Sequence, residues 1–171
     1  MKIILVGYMG SGKSIIAQEL SKSLNIKFED LDILIEESQK MSIKNIFSEK
    51  GELFFRKLEH QIFQDITAQT DSLILSTGGG TPCYFNNHEL LNFANCRSIY
   101  LKASIETLFK RLQFEKEKRP LIANLSDANA KEFIAKQLFE RNYYYRMATF
   151  AVDVNDKSVA TIVKEIEILL M

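Results

Sequence analysis

The sequence predicts an α/β fold, in which a five-stranded parallel sheet lies between two layers of helices as a three-layer α/β/α sandwich. Short apolar runs alternate along the chain with segments whose apolar residues have helical spacing. Strands that are apolar on both faces are typical of parallel sheets covered by helices on both sides. A chain of 171 residues is most simply one domain, so we predict a single domain over 1–171.

The strands and helices follow one another in a regular order. The predicted strands are Ile3–Val6, Ile26–Glu29, Leu73–Thr77, Ser98–Leu101 and Phe150–Val154. The predicted helices cover 13–24, 33–40, the segment from Ser42 to Gly51, a long amphipathic stretch after Gly51, and 158–170. Ligands of such folds bind at the carboxyl ends of the strands, so the polar residues there are the candidates for a functional site.

The composition narrows the class of protein. The chain has 22 Lys and Arg against 22 Asp and Glu, so we expect neither nucleic acid nor a membrane surface as a partner. Cys83 and Cys96 are expected to be reduced thiols of a cytoplasmic protein. No apolar stretch has the length of a membrane span. The absence of an evident exposed apolar seam favours a monomer.

The segment Gly7–Ser14 follows the first predicted strand and precedes the first predicted helix, and it reads G-x-x-x-x-G-K-S. In this context the pattern predicts a loop whose backbone N–H groups bind phosphate at a helix N-terminus. Lys13 would reach the β- and γ-phosphates, and the hydroxyl of Ser14 would bind Mg²⁺. The alternative is a glycine-rich turn without a ligand. The full pattern and its flanks favour a nucleoside triphosphate site.

Two acids follow the second predicted strand. The third strand ends in Ser76-Thr77-Gly78 with no acid, so Asp30 is the candidate to bind Mg²⁺ opposite Ser14. If the segment stays extended, Asp30 and Asp32 point to the same side, which leaves Asp32 for an acceptor hydroxyl. The alternative is that both acids solvate a loop or cap the next helix.

A second cluster lies on the long helix after Gly51. Arg56 and Glu59 are three residues apart and can share one face. They could form a surface ion pair, or Arg56 could present its planar guanidinium to a ligand carboxylate. Phe54 and Phe55 could line the acceptor pocket, although packing in the core explains either one equally well.

Three successive glycines, Gly78-Gly79-Gly80, follow the third strand. One glycine would suffice for a turn, so three indicate a close approach of backbone to ligand. A purely structural sharp turn is the alternative.

Further along, Arg119 follows the charged run 115–118. A phosphoryl transferase needs positive charge and a cover that excludes water, and an arginine in a lid would supply both. The alternative is a solvated charged face.

In order and type, these motifs resemble those of the shikimate kinases over nearly the whole chain. The segment Gly51–Glu59 reads G-E-x-x-F-R-x-x-E, and it is combined with the triple glycine. The chain continues with Arg119-Pro120-Leu121 and with the pattern R-x-x-x-Y from Arg141 to Tyr145. The combination of the first two motifs is the discriminating part of the resemblance.

The resemblance implies transfer of the γ-phosphoryl group of ATP to the 3-hydroxyl of shikimate, on the route to chorismate and the aromatic amino acids. It implies a mobile lid at about 112–125 and a shikimate-binding segment at about 32–60. The implied catalytic residues are Lys13, Asp32 and Arg119. The implied nucleotide-binding residues are Gly10, Ser11, Gly12, Lys13, Ser14, Ile15, Arg111 and Arg119, with Arg111 stacking on adenine. The implied shikimate-binding residues are Asp32, Arg56, Gly79, Gly80 and Arg141, and Ser14 and Asp30 would hold Mg²⁺.

The chain departs from the family pattern at three places, one of which is Arg146, where acidic residues are common. Tyr143-Tyr144 stand where Pro-Leu is usual, and the segment 155–158 lacks the Arg and Pro that some members use around adenine, where Lys157 could substitute. A gluconate-type or nucleoside monophosphate kinase shares the phosphate loop and lid, but it would not need the combination of Arg56, Gly79 and Arg141. A GTPase switch or an inert nucleotide-binding module is the alternative of another class. The N-K-x-D and D-x-x-G signatures of the former are absent.

Overall fold

The sheet lies at the centre of the computed structural model, which describes residues 1–93, 95–114, 122 and 124–171. Its strands are β1 (Lys2–Val6), β2 (Phe28–Asp30), β3 (Leu73–Ser76), β4 (Cys96–Lys102) and β5 (Phe150–Asp153). They pair in the order β2-β3-β1-β4-β5, and every pairing is parallel. The predicted five-stranded parallel sheet is confirmed.

Helices connect and cover the strands. They are α1 (Lys13–Leu24), α2 (Leu31–Gln39), α3 (Ile43–Lys50), α4 (Glu52–Ala68), α5 (Asn87–Leu90), α6 (Ile105–Gln113), α7 (Asp127–Tyr145) and α8 (Val159–Leu170), with a 3-10 turn at Thr81–Cys83. Helix α1 packs against β1, β2, β3 and α8, while α6 packs on α7. Over the described ranges, no helix combines the length and the apolar character that crossing a membrane requires.

Strand β1 forms the middle of the core and delivers the phosphate loop. All of its residues are buried, and Ile3–Val6 have no exposed surface. The parallel register sets Leu5 opposite Ser76 of β3 and Ile99 of β4. The segment after Val6 therefore leaves the sheet at its centre, beside the carboxyl ends of the two neighbouring strands.

The region around β2 differs from the sequence-based prediction. The strand covers Phe28–Asp30 instead of 26–29, and α2 begins at Leu31 instead of 33. The cause is Asp30, whose Oδ1 accepts a hydrogen bond of 3.0 Å from the backbone N–H of Asp32 and so caps the helix. The segment therefore does not stay extended from Asp30 to Asp32, and Asp32 lies in the first helical turn. The alternative that the acids cap the next helix is confirmed for Asp30.

Both cysteines are free thiols, as the sequence predicts. Cys96 is buried in β4, and Cys83 is half-buried at the end of the 3-10 turn. Burial raises the pKa of the Cys83 thiol to about 11, although Arg141 and Arg56 partly oppose that shift. The thiol is therefore protonated at neutral pH and is a poor nucleophile.

Candidate active site

The loop Gly7–Ser14 has a backbone that requires glycine. Gly10 and Gly12 have φ angles of +82° and +97°, in the region that residues with a side chain rarely adopt. A Cβ at Gly7 would lie 2.9 Å from the carbonyl oxygen of Leu101. The glycines therefore allow the loop to turn sharply between β1 and α1 while it packs against the end of β4.

The ammonium group of Lys13 lies inside this loop. Its Nζ donates hydrogen bonds to the carbonyl oxygens of Gly7 at 2.8 Å and Tyr8 at 3.1 Å. The backbone N–H of Ser11 also donates to Tyr8, at 3.1 Å. The Ser11 hydroxyl is buried and has no hydrogen-bond partner among the described residues. The loop thus holds a positive charge at the N-terminus of α1, where an anion is favoured.

Arg111 of α6 forms hydrogen bonds with the same loop. Its Nη1 donates to the carbonyl oxygens of Gly10 at 3.2 Å and Ser11 at 3.1 Å, and its Nη2 donates to Val154 at 3.1 Å. These bonds link the loop to the chain that follows β5. The guanidinium therefore fixes two carbonyl groups of the loop, and its stacking on adenine stays a prediction.

Ser14, Asp30 and Ser76 bring hydroxyl and carboxylate oxygens together next to the loop. The Ser14 hydroxyl donates to Oδ2 of Asp30 at 2.8 Å, and the hydroxyl oxygens of Ser14 and Ser76 are 3.3 Å apart. Asp30 and Ser76 are direct neighbours in the β2–β3 register. Hard oxygen donors of this kind suit Mg²⁺, which takes one or two protein ligands beside phosphate oxygens and water. These residues fit the predicted metal site.

Asp32 lies in an unusually acidic environment. Burial, followed by the charges of Asp30 and Glu59, raises the pKa of Asp32 to about 6, while Lys13 opposes the shift. A carboxylate with a pKa near the operating pH is suited to accept a proton from a hydroxyl. Although the segment is helical and not extended, the first turn of α2 places Asp32 near both Asp30 and Lys13.

Arg56 and Glu59 form a buried pair on α4, and the alternative of a surface ion pair is wrong. Their side chains are 12% and 1% exposed, and Nη1 of Arg56 donates to Oε2 of Glu59 at 2.8 Å. The other carboxylate oxygen accepts a hydrogen bond of 2.6 Å from the Thr81 hydroxyl. Among the described residues, Nε of Arg56 has no hydrogen-bond partner, but it lies 3.6 Å from Oε1 of Glu52. These contacts fix the guanidinium beside the triple glycine.

Each glycine of 78–80 lies against a different charged side chain. A Cβ at Gly78 would meet Oδ1 of Asp32 at 3.2 Å, and one at Gly79 would meet Nη1 of Arg141 at 3.5 Å. A Cβ at Gly80 would lie 2.8 Å from Nη2 of Arg56. Glu59 Oε1 is also 3.2 Å from the Gly78 Cβ position, so the triple glycine brings two carboxylates and two guanidinium groups to three successive backbone positions. The alternative of a turn alone does not explain these contacts.

Gly79 contacts both the phosphate loop and helix α7. Its Cβ position lies 3.3 Å from the backbone nitrogen of Met9 in the phosphate loop. Its carbonyl oxygen accepts a hydrogen bond of 2.6 Å from the hydroxyl of Tyr145. Arg141, one helical turn before Tyr145, lies 5.6 Å from the ring centroid of Tyr8. The glycine segment is thus held between the phosphate loop and α7.

A cavity of about 600 Å³ runs along these elements. Its lining includes the phosphate loop, Asp30, Asp32, Gly79, Arg111 and Lys157. Ile15 also lines it, with 54% of its surface exposed. Arg56, Gly80 and Arg141 are not part of this lining, but they lie at its end through their contacts with the triple glycine.

Comparison with known proteins identifies the family. The family model described as shikimate kinase matches residues 9–170. The chain belongs to the shikimate kinase family. A shikimate kinase of Flavobacterium johnsoniae is 52% identical over 165 residues, which cover 96% of each chain. A crystal structure of shikimate kinase from Bacteroides thetaiotaomicron has a TM-score of 0.91 at 31% identity, covering 99% of this chain and 98% of the other. Shikimate kinase from Acinetobacter baumannii, in complex with shikimate, has a TM-score of 0.88 at 29% identity and coverages of 99% and 92%.

Some residues predicted for the site of this shikimate kinase family member lie outside the described residues, and others have contacts that the sequence did not indicate. Arg119 and most of the proposed lid at 112–125 lie outside the described residues. Phe55 is buried and stacks on Phe47, whereas Phe54 is 37% exposed. Lys157, considered for the adenine site, donates a hydrogen bond of 2.7 Å to Glu165 while it lines the cavity.

Sequence reasoning missed the residues that support the charged groups of this shikimate kinase fold. The Tyr84 ring lies 4.1 Å from Cζ of Arg56, and Thr81 donates to Glu59. Both follow the triple glycine within four positions, so they are at the same strand end. Tyr145 was part of the R-x-x-x-Y pattern, but its contact with Gly79 depends on the packing of α7.

Proposed function

We propose that this chain transfers the γ-phosphoryl group of ATP to the 3-hydroxyl of shikimate and forms shikimate 3-phosphate and ADP. Membership of the shikimate kinase family supports this activity. The observation that carries the assignment is the triple glycine, where Asp32, Arg141 and Arg56 contact successive residues beside the phosphate loop. That arrangement suits an acceptor with one carboxylate and several hydroxyl groups.

The phosphate loop and its neighbours would bind the donor. The backbone of Gly10–Gly12, with Ser14 and Ile15, would surround the phosphates, and Lys13 would exchange its carbonyl partners for phosphate oxygens. Arg111 would border the adenine. Ser14 and Asp30 would hold Mg²⁺, which when bound neutralises part of the charge on the phosphates. Arg119 of the lid would add positive charge at the transferring group.

The glycine segment and α4 would bind the acceptor. Arg56 and Arg141 would pair with the shikimate carboxylate, because planar guanidinium groups match carboxylate oxygens in pairs. The backbone at Gly79 and Gly80 would contact shikimate hydroxyl groups. Asp32 would hold the attacking hydroxyl and accept its proton. Since phosphoryl transfer passes through a loose transition state, positioning and electrostatics would supply most of the acceleration.

This reaction would be one step of the route to chorismate and the aromatic amino acids. One domain, a monomeric state, a cytoplasmic location and the absence of nucleic acid and membrane partners stay predictions. A gluconate-type kinase and an inert nucleotide-binding module are disfavoured, because the family model and the most similar relatives described above are shikimate kinases.

Identification of the product tests the proposal. The protein is incubated with Mg²⁺, ATP and shikimate, and the product is examined by phosphorus and proton NMR. The proposal predicts a phosphate ester at the 3-position and ADP in equal amounts. Lys13→Ala is the control and should form little product. A phosphate ester at another hydroxyl would contradict the regiochemistry, and no ester would contradict the activity.

A further inference from the structure

We propose that Tyr84 is a positioning residue for shikimate, which fixes the plane of the Arg56 guanidinium so that its free donors face the carboxylate. This inference rests on the proposed function, since it concerns the same acceptor. Tyr84 follows the 3-10 turn at Thr81–Cys83 and is half-buried. It would act through Arg56 without being a catalytic residue.

The contact between the two side chains is a cation–π stack. Cζ of Arg56 lies 4.1 Å from the ring centroid of Tyr84, compared with 5.0 Å from the ring of Phe55. A guanidinium at this distance from an aromatic face is attracted by the π electrons, most strongly where water is excluded. Because only 12% of the Arg56 side chain is exposed, the stack is largely shielded from water.

The other sides of the guanidinium are also defined. Glu59 accepts a hydrogen bond from Nη1 at 2.8 Å, and the backbone of Gly80 lies next to Nη1 and Nη2. Within the part of the chain that the structure describes, Nε has no hydrogen-bond partner. Rotation of the group about its long axis would break the contact with Tyr84 while the Glu59 pair could still adjust. The aromatic ring therefore holds the plane of the guanidinium, while Glu52 lies 3.6 Å from its Nε edge.

The hydroxyl of Tyr84 has a second, weaker role. It donates a hydrogen bond of 3.3 Å to Oε1 of Glu52, which itself lies 3.6 Å from Nε of Arg56. Glu52 is the nearest competitor for the donor that a substrate carboxylate would need. The Tyr84 hydroxyl donates a hydrogen bond to the Glu52 carboxylate and so weakens its attraction for Arg56. Because this effect is indirect, loss of the hydroxyl should weaken shikimate binding less than loss of the ring.

Two substitutions separate the ring from the hydroxyl. Tyr84→Leu removes the stack, and we expect about a tenfold weaker shikimate affinity by titration calorimetry. Tyr84→Phe keeps the stack and should restore affinity to within about threefold of the original. The kcat at saturating shikimate and the KM for ATP should stay unchanged. Tyr143→Leu, which removes an exposed tyrosine of α7, is the matched control. If Tyr84→Leu does not fold, Tyr84→Gln replaces it with the same expectation.

A double-mutant cycle tests whether Tyr84 acts through Arg56. In an Arg56→Met background the cation is absent and no cation–π contact can form, so Tyr84→Leu should change shikimate affinity by less than about twofold. An equal loss in both backgrounds, or no loss in the original protein, would overturn the inference. A change in the KM for ATP comparable to that for shikimate would also overturn it. Failure of the unsubstituted protein to bind shikimate would instead contradict the proposed function.

Discussion

The guanidinium of Arg56 occupies the space that a side chain at Gly80 would need. A Cβ there would lie 2.8 Å from Nη2 and 2.9 Å from Nη1. The backbone of Gly80 has φ of −94° and ψ of −12°, which any residue can adopt. The glycine is therefore required by the arginine beside it and not by its own conformation.

Substitution of Gly80 by alanine should consequently impair the acceptor site alone. The added methyl group displaces the end of the Arg56 side chain, and we expect about a tenfold weaker shikimate affinity because a charge-assisted contact is lost. The KM for ATP should not change. Titration with shikimate and steady-state kinetics measure the two effects. Equal affinity in Gly80→Ala and the original protein would contradict this role of the glycine.

Arg56→Ala should reduce both binding and stability. Loss of the carboxylate contact should weaken shikimate binding by about 2–3 kcal/mol. The free energy of unfolding should fall by about 3–5 kcal/mol, because the buried Glu59 carboxylate loses its cation. Denaturant unfolding measures the second effect. The double variant Arg56→Ala/Glu59→Gln should recover part of the stability but none of the affinity. If the double variant is no more stable than Arg56→Ala, the buried charge is not the cause.

Asp32 links activity and stability through its pKa of about 6. The carboxylate can accept a proton only when ionised, so kcat/KM for shikimate, which reports the groups of the free enzyme, should fall as the pH falls through about 6. Asp32→Asn should lower kcat far more than the affinity for ATP. Similar losses in both would assign Asp32 to nucleotide binding.

The raised pKa of Asp32 affects activity and stability in opposite directions: a lower pH should reduce activity but increase the stability of the fold. The folded-state pKa of Asp32 lies above its ordinary value of 3.8, so ionisation above pH 6 destabilises the fold. The contribution of Asp32 to the free energy of unfolding therefore becomes more favourable to the folded state as the pH falls from about 6 towards 4. Asp32→Asn should therefore be more stable than the original protein at pH 7, on the order of 2 kcal/mol. The difference should vanish near pH 4. A less stable variant at pH 7 would contradict the assignment.

Tyr145→Phe should loosen the glycine segment. Burial raises the pKa of Tyr145, so its hydroxyl stays protonated and donates to the carbonyl oxygen of Gly79 at 2.6 Å. Removal of the hydroxyl should cost about 1–2 kcal/mol of unfolding free energy and raise the KM for shikimate. Tyr100→Phe is the control, because Tyr100 stacks on Tyr145 with ring centroids 5.1 Å apart. Equal effects of both substitutions would indicate a general packing defect.

The parts of the fold that depend on local sequence could be predicted. Ile3–Val6 form a buried strand because they are apolar throughout, and the loop after them follows from its glycines and Lys13. The boundary at β2 could not be predicted from alternation, because Asp30 caps a helix that begins two residues earlier than expected. A capping aspartate and a strand-terminal aspartate look alike in sequence.

The site was predictable in its charged residues but not in their supports. The spacing of Arg56 and Glu59 indicated that they share a helix face, but not that the pair is buried. Burial depends on the packing of α4 against the 3-10 turn, where Thr81 and Tyr84 contact the pair. These contacts join residues about 20–30 positions apart, which periodicity cannot reveal.

The measurement that tests the account most directly is ADP release from Mg²⁺-ATP in the presence of different acceptors. Shikimate, gluconate and nucleoside monophosphates are compared at equal concentration with the same preparation. The account predicts rapid release with shikimate and only background release with the other acceptors. Release that does not depend on shikimate, or that is as fast with gluconate, would contradict the assignment of Arg56, Arg141 and the triple glycine to a shikimate site.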